Sequence, residues 1–104
     1  MIRQRPQVSL SQRPAACFYI RFPNNDYYRA IYVKERTIVE LQSQISRKAQ
    51  INICRIFFQI SAGRKRLAND ELLRQIPDGQ DIIAEFGDTM YIDRGIDVVL
   101  MFRS

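Results

Sequence analysis

Hydrophobic and polar side chains alternate along residues 16–22, ACFYIRF, which predicts a β-strand with one buried face. The polar residues 23–26 then predict a turn, and the aromatic and β-branched residues of 27–33, YYRAIYV, predict a returning strand. The chain is therefore expected to open with a β-hairpin. Apolar residues occupy both alternating sets of the second strand, so the sequence does not decide which of its faces is buried. The face of the first strand predicted to be buried carries Ala16, Phe18, Ile20 and Phe22.

An amphipathic helix is predicted directly after the hairpin. Thr37 and Glu40 are spaced as a capping box, in which each side chain accepts a hydrogen bond from the backbone N–H of the other residue. Apolar residues then recur at helical spacing, which places them on one stripe that needs a sheet to cover it. The stripe consists of Ile38, Leu41, Ile45 and Ala49.

Alternation also predicts a third strand over residues 54–60. The segment SAGRK predicts a turn after it, and a short strand is expected around Leu67. The face of the third strand toward the helix would carry Cys54, Ile56, Phe58 and Ile60. The opposite face would carry Arg55, Phe57 and Gln59.

The remaining residues predict one helical turn and two more strands. Asn69 is placed to cap a short helix over residues 70–76, DELLRQI. Strands are predicted over 81–86 and 96–102, and the mainly polar residues 87–95 are expected to form a loop between them.

This order of elements predicts a two-layer α+β domain, with one main helix packed on one face of a mixed sheet. It is the arrangement of the ubiquitin-like β-grasp fold. The 104 residues suffice for one domain, which we expect over residues 15–104. Residues 1–14 contain two prolines, three arginines and no usable apolar period, so they are expected to form a flexible basic tail or the stub of a linker.

The net charge of +5 is unevenly distributed along the chain. Residues 1–66 contain thirteen lysines and arginines against three acidic residues, a net charge of +10, whereas residues 67–104 contain three against eight, a net charge of −5. Two copies could therefore attract each other through oppositely charged regions. The alternative is an ordinary solvated surface.

Membrane insertion and secretion are not expected. The longest apolar run, residues 15–20, is too short to span a bilayer, and the segment MIRQRPQ lacks the apolar core of a signal peptide. Cys17 and Cys54 lie in strand-like runs without other cysteines or histidines at metal-ligand spacing. They are predicted to be buried, reduced thiols of an intracellular protein.

Two long stretches resemble a known family. YYRAIYVKERTIVELQSQIS and LANDELLRQIPDGQDIIAEF are similar to the C-terminal ubiquitin-like domain of Grainyhead-type transcription factors, in particular the fungal branch of the CP-two group. The resemblance covers residues 15–102 and implies a nuclear module that pairs or oligomerises the factor, with itself or with a paralogous factor. In that family DNA is held by a separate immunoglobulin-like domain, so no DNA-contacting residue is implied here.

Catalysis is not expected. The chain contains no histidine, which removes the usual general base and the imidazole metal ligand. The acid pairs Asp78 with Asp81 and Asp93 with Asp97 are more typical of solvated turns than of a carboxylate dyad or a cation site. We therefore expect no cofactor and no metal.

A protein interface is the main functional prediction. Phe57 lies between Arg55 and Gln59 on the strand face turned away from the helix, and Ile83 has the same position between two acidic residues. An apolar pair surrounded by charge is typical of a moderate protein interface. The candidate interface residues are Arg55, Phe57, Ile83, Arg64, Lys65 and Arg66.

Two alternatives use the basic segment 64–66, which is predicted to lie on a turn. The domain could pair head to tail with another protein through a basic face and an acidic loop, as Phox-and-Bem-type adaptor domains do, with the acidic stretch 70–88 as a loose match for that loop. It could also bind nucleic acid directly, because arginines suit phosphate and exposed aromatic rings stack on bases.

Overall fold

The computed structural model describes residues 14–61, 64–91 and 95–102. Within them the elements are β1 (Ala16–Arg21), β2 (Arg29–Val33), α1 (Ile38–Ala49), β3 (Ile53–Ser61), β4 (Arg64–Leu67), α2 (Asp70–Arg74), β5 (Asp81–Tyr91) and β6 (Gly95–Phe102). The tail predicted over residues 1–14 lies outside the described residues except for Pro14, and Asp93 lies outside them too. Neither described helix has the length and apolar character needed to cross a membrane.

The opening hairpin is confirmed. β1 and β2 pair antiparallel, with Phe18 opposite Ile31. The second strand begins at Arg29, two residues later than predicted, because the turn continues through Tyr27 and Tyr28. The predicted inner face of β1 is correct, since all four of its members are buried: Ala16, Phe18, Ile20 and Phe22.

The main helix packs as its apolar stripe predicts. Leu41 and Ile45 are buried, and Ile38 and Ala49 pack against the same core. Thr37 caps the helix, since its Oγ1 accepts a hydrogen bond from the backbone N–H of Glu40 at 3.2 Å.

The second predicted hydrogen bond of the capping box, from the Thr37 backbone N–H to the Glu40 side chain, is wrong. The Glu40 carboxylate accepts instead from the backbone N–H of Lys34 at 2.9 Å, because the chain that enters the helix brings this N–H within reach. The Ile38 N–H is satisfied by Asp70 Oδ1 at 2.8 Å, which ties the start of α1 to the start of α2. The first turn of α1 is thus hydrogen-bonded both to the segment before the helix, through Lys34, and to α2, through Asp70.

The six strands form one mixed sheet in the order β2-β1-β5-β6-β3-β4. β1 is parallel to β5 and β3 is parallel to β6, while the other neighbours are antiparallel. The α+β β-grasp architecture is therefore confirmed, with β6 lying between β5 and β3. The α1 helix contacts β2 and β3, and α2 contributes Leu73 to the same core, so both helices lie on one side of the sheet.

The loop predicted over residues 87–95 is wrong. β5 continues to Tyr91 and β6 starts at Gly95, so the two strands form a long hairpin with a register shift between Phe86 and Met90. The polar composition of this segment breaks the alternating pattern, but the ladder is made by backbone groups and does not need apolar side chains.

A bulge changes the alternation of β3. The register with β6 shifts between Ile53 and Arg55, so Ile53 and Ile56 are both buried while Cys54 is only partly buried. Ile60, predicted to face the core, is 60% exposed beyond a second shift in the pairing with β4. Cys17 is also only partly buried, so the prediction of two buried thiols is wrong, although both cysteines are free.

The glycines at positions 79 and 95 offer a matched test of backbone packing. Both have a positive φ, +84° for Gly79 and +99° for Gly95, so alanine costs about 1–2 kcal/mol of conformational strain at either site. A Cβ on Gly95 would overlap the carbonyl of Asn52, whereas a Cβ on Gly79 meets nothing within 4 Å. We expect Gly95→Ala to lower the free energy of unfolding by at least about 2 kcal/mol more than Gly79→Ala in urea titrations. Equal losses would contradict this packing of β6 on the chain before β3.

Candidate interaction surface

The side of the sheet opposite α1, which we call the outer face, is where the candidate residues lie. Neighbouring phenylalanines show the division clearly, since Phe58 is 1% exposed in the core while Phe57 is partly exposed on the outer face. On β5 the same alternation buries Ile82 and Ala84 and leaves Ile83 partly exposed on the outer face. Phe57, Arg55 and Ile83 therefore share one face, as predicted.

Residues in register on neighbouring strands form a row across the sheet. Phe57 and Ile83 belong to neighbouring rows, and other apolar residues lie between them. Phe57 is in register with Val99 and Leu67, and Ile83 is in register with Met101 in the next row. Val99 is 9% exposed and Leu67 is 58% exposed, so the surface is most open toward the β4 edge. We call this group the apolar strip, and its members are Ile83, Met101, Val99, Phe57 and Leu67.

Two cations contact the ring of Phe57. The guanidinium carbon of Arg55 lies 5.2 Å from the ring centroid, and the Lys65 Nζ lies 5.6 Å from it. Each contact at an exposed site contributes about 0.5–1 kcal/mol. These contacts stabilise the Phe57 side chain in its partly exposed position on the outer face.

Arg55 is held in place from the neighbouring strand. Its Nε and Nη2 donate to the Asp97 carboxylate at 3.1 and 2.8 Å, a two-point geometry. The Arg55 side chain is 47% exposed, so the pair contributes under about 1 kcal/mol to stability. Its main effect is to fix the guanidinium over Phe57.

The basic segment 64–66 does not form one cluster on a turn, which corrects the sequence prediction. These residues belong to β4, where successive side chains point to opposite faces. Lys65 contacts Phe57 on the outer face, whereas Arg66 pairs in register with Phe58 and therefore lies on the helix side. Arg64 pairs with Ser61 at the bulge.

Charges around the apolar strip are segregated by strand. Asp81 and Glu85 on β5 and Asp97 on β6 form what we call the acidic half of the outer face. Arg55 on β3 and Lys65 on β4 form the basic half. On these four strands the outer face therefore carries opposite charges on either side of the seam between β6 and β3, while Arg21 on β1, in register with Ile83, adds a cation beyond the acidic half.

The outer face continues onto β1 and β2 with two tyrosines. Tyr19 and Tyr32 are 39% and 55% exposed, and Cys17, which pairs with Tyr32, lies on the same face. The side-chain hydrogen bond with Cys17 raises the pKa of Tyr19 above its ordinary value, so the phenol stays uncharged. Of the acid pair Asp78 and Asp81, Asp78 accepts a hydrogen bond from the Cys17 N–H at 2.6 Å through its Oδ1.

An open groove on the helix side is a second apolar feature of the surface that the described residues form. It has a volume of about 240 Å³ and is lined by residues that include Ile60, Leu72, Ile76 and Phe102. Nothing in the sequence pattern predicts it, since Ile60 was expected in the core. Over the described ranges, no cluster of three or more cysteine and acidic side chains is arranged to hold a metal ion.

Sequence reasoning missed Val99, Met101 and Leu67 as members of the outer face. Val99 and Met101 lie in the run IDVVLMF, where almost every residue is apolar, so alternation alone cannot assign faces. Their assignment needs the register with Phe57 and Ile83, which only the folded sheet provides.

Comparison with models of protein families finds a match over most of the chain. The family model described as "GRHL1-like, C-terminal domain" matches residues 13–101 of the chain. No curated protein and no solved structure matches.

The two neighbouring phenylalanines test the face assignment. We expect Phe58→Ala to lower the free energy of unfolding by about 3–5 kcal/mol, because it leaves a cavity in the core. Phe57→Ala should cost under about 2 kcal/mol, since it removes a half-exposed ring and its cation contacts. Denaturant unfolding of both variants in dilute solution provides the measurement. Equal losses would show that Phe57 is part of the core.

Proposed function

The chain belongs to the GRHL1-like C-terminal domain family, and on this basis we propose that it is the self-association module of a Grainyhead-type transcription factor. Its partner is a second copy or a paralogous factor. The module acts without catalysis and in the nucleus, and DNA is bound by a separate domain of the factor. Its assignment to the fungal branch stays a prediction.

The apolar strip is the observation that carries this proposal. It combines a partly exposed phenylalanine with aliphatic neighbours on one sheet face, and charged residues surround it. In the described ranges both helices lie on the other side of the sheet, so neither of them covers this face. An aromatic anchor among aliphatic side chains with a charged rim is the composition of a protein interface.

The strip is small compared with the area of a stable protein interface. It spans four strands at about 4.8 Å spacing and two rows of side chains about 7 Å apart, which outlines an area on the order of 270 Å². A standard interface buries about 800 Å² per partner. We therefore propose a moderate association, in the micromolar range for the isolated domain, which other contacts of the full factor would strengthen.

The observations favour the outer face over head-to-tail pairing. Head-to-tail pairing needs one basic surface and one acidic loop, but Lys65 and Arg66 lie on opposite sides of β4. Part of the acidic stretch 70–88 is strand β5, and Asp70 is engaged at the start of α1. Direct nucleic-acid binding is also less favoured, because acidic residues lie beside the cations of the outer face.

A charge at the centre of the strip should abolish self-association. We expect Phe57→Asp to remain monomeric at concentrations where the parent chain dimerises, because it places a carboxylate in a desolvated interface. Val39→Asp is the matched control, since Val39 is 79% exposed on α1, away from the outer face. Sedimentation equilibrium up to several hundred micromolar, at low and high salt, measures both. A parent chain that stays monomeric in low salt throughout this range would overturn the proposal.

A single charge reversal separates the two modes of pairing. Arg66→Glu changes the helix side of β4 and leaves the outer face intact, so self-association through the apolar strip should keep its dissociation constant within about threefold. Head-to-tail pairing through the basic segment would instead be lost. Loss of pairing in Arg66→Glu together with retention in Phe57→Asp would assign the interface to the basic segment.

A further inference from the structure

We propose that two copies pair through their outer faces about a two-fold axis that runs parallel to the strands, along the seam between β6 and β3. The acidic half of one copy then covers the basic half of the other. This arrangement rests on the proposed self-association, and it adds the orientation, the residue pairs and the source of specificity.

Symmetry leaves few orientations for such a dimer. Two identical sheets that pack face to face are related by a two-fold axis lying in the plane between them. Aligned sheet packing keeps the strand directions within about 30° of each other. In this aligned class the axis runs either along the strands or across them, whereas the orthogonal class would place it diagonally.

The register of the sheet shows what an axis along the strands brings together. With the axis at the seam, β6 of one copy covers β3 of the other, and β5 covers β4. Val99 and Phe57 are in the same row on either side of the seam, so each Val99 packs on the partner's Phe57. Glu85 is in register with Val99, and Leu67 with Phe57, so Glu85 lies over the partner's Leu67. Lys65 is two residues from Leu67 on the same face, within reach of Glu85 of the other copy.

An axis across the strands has the opposite electrostatic effect. It places each strand over its own copy, so β5 covers the partner's β5 and β4 covers the partner's β4. Glu85 then lies near the partner's Glu85, and Lys65 near the partner's Lys65. Like charges facing each other in an interface are strongly unfavourable, whereas the axis along the strands places Asp97 over the partner's Arg55 and Glu85 near the partner's Lys65. The charge distribution therefore selects the first orientation.

Glu85 and Lys65 are the pair best suited to recognise a second copy. Asp97 and Arg55 already form an ion pair within one chain, so their charges are largely compensated. Among the ion pairs of the described residues there is none with Glu85 or Lys65, and the Lys65 Nζ lies over the Phe57 ring. Because the dimer is symmetric, the Glu85–Lys65 contact occurs twice, and each substitution acts twice.

Reversing these charges tests the orientation. The variants Glu85→Lys and Lys65→Glu each replace two attractive contacts with two repulsive ones. We expect each to raise the dissociation constant of the homodimer by about tenfold or more in low salt. The double variant, which exchanges the two charges within one chain, should return to within about threefold of the parent. An equimolar mixture of the single variants should form heterodimers with a dissociation constant near that of the parent.

A matched charge exchange elsewhere provides the control. Lys34 and Glu35 lie exposed between β2 and α1, away from the apolar strip. Lys34→Glu and Glu35→Lys make the same changes of net charge, and neither variant nor their mixture should change the dissociation constant by more than about threefold. Sedimentation equilibrium gives the constants, and circular dichroism confirms that each variant is folded.

The outcomes separate this inference from the proposed function. If the single reversals leave the dissociation constant unchanged while Phe57→Asp abolishes pairing, self-association stands and the proposed axis is wrong. That result is expected for an axis across the strands, because like charges face each other before and after each substitution. A double variant as weak as the single variants would also overturn the axis. If the parent chain is monomeric, the proposed function itself fails.

Discussion

The packing of α1 on a single side of the sheet is the constraint on which the rest of the structure depends. Leu41 and Ile45 are buried between the helix and the strands, and α2 closes the same side with Leu73. Every second residue of the strands must then point away from both helices. The same alternation of side chains therefore produces both the core and the outer face, and each strand residue belongs to one or the other.

The outer face is apolar at its centre, but contacts within the chain stabilise its exposed aromatic residue in the monomer. Arg55 and Lys65 contact the Phe57 ring, and Asp97 fixes the arginine, so the exposed aromatic side chain has favourable neighbours before any partner arrives. Such preorganisation lowers the entropy lost on association, because the central side chains are already ordered. In the proposed dimer Lys65 would also oppose wrong orientations together with Glu85, so one residue would contribute to both stability and specificity.

Much of the fold follows from the sequence, and the errors have identifiable causes. The alternation of β1 and the helical stripe of α1 predict the correct buried faces, because each pattern is uninterrupted. The bulge at Cys54 and the continuation of β5 to Tyr91 depend on backbone pairing with β6, which leaves no signal in residue type. The face of Phe57 and Ile83 was predictable from local alternation. Their connection through Val99 and Met101 was not, because it requires the register of three strands.

The position of β6 has a consequence for how the sheet assembles. It is the last strand in the described sequence, yet it lies in the interior of the sheet, where it joins β5 to β3. The hairpin β3–β4 is connected to β2, β1 and β5 only through β6. The six-stranded sheet therefore cannot form before β6 is in place. Parallel pairing of β3 with β6 also closes a long stretch of chain, which slows folding. During synthesis on a ribosome, the core therefore becomes complete only after β6 has emerged.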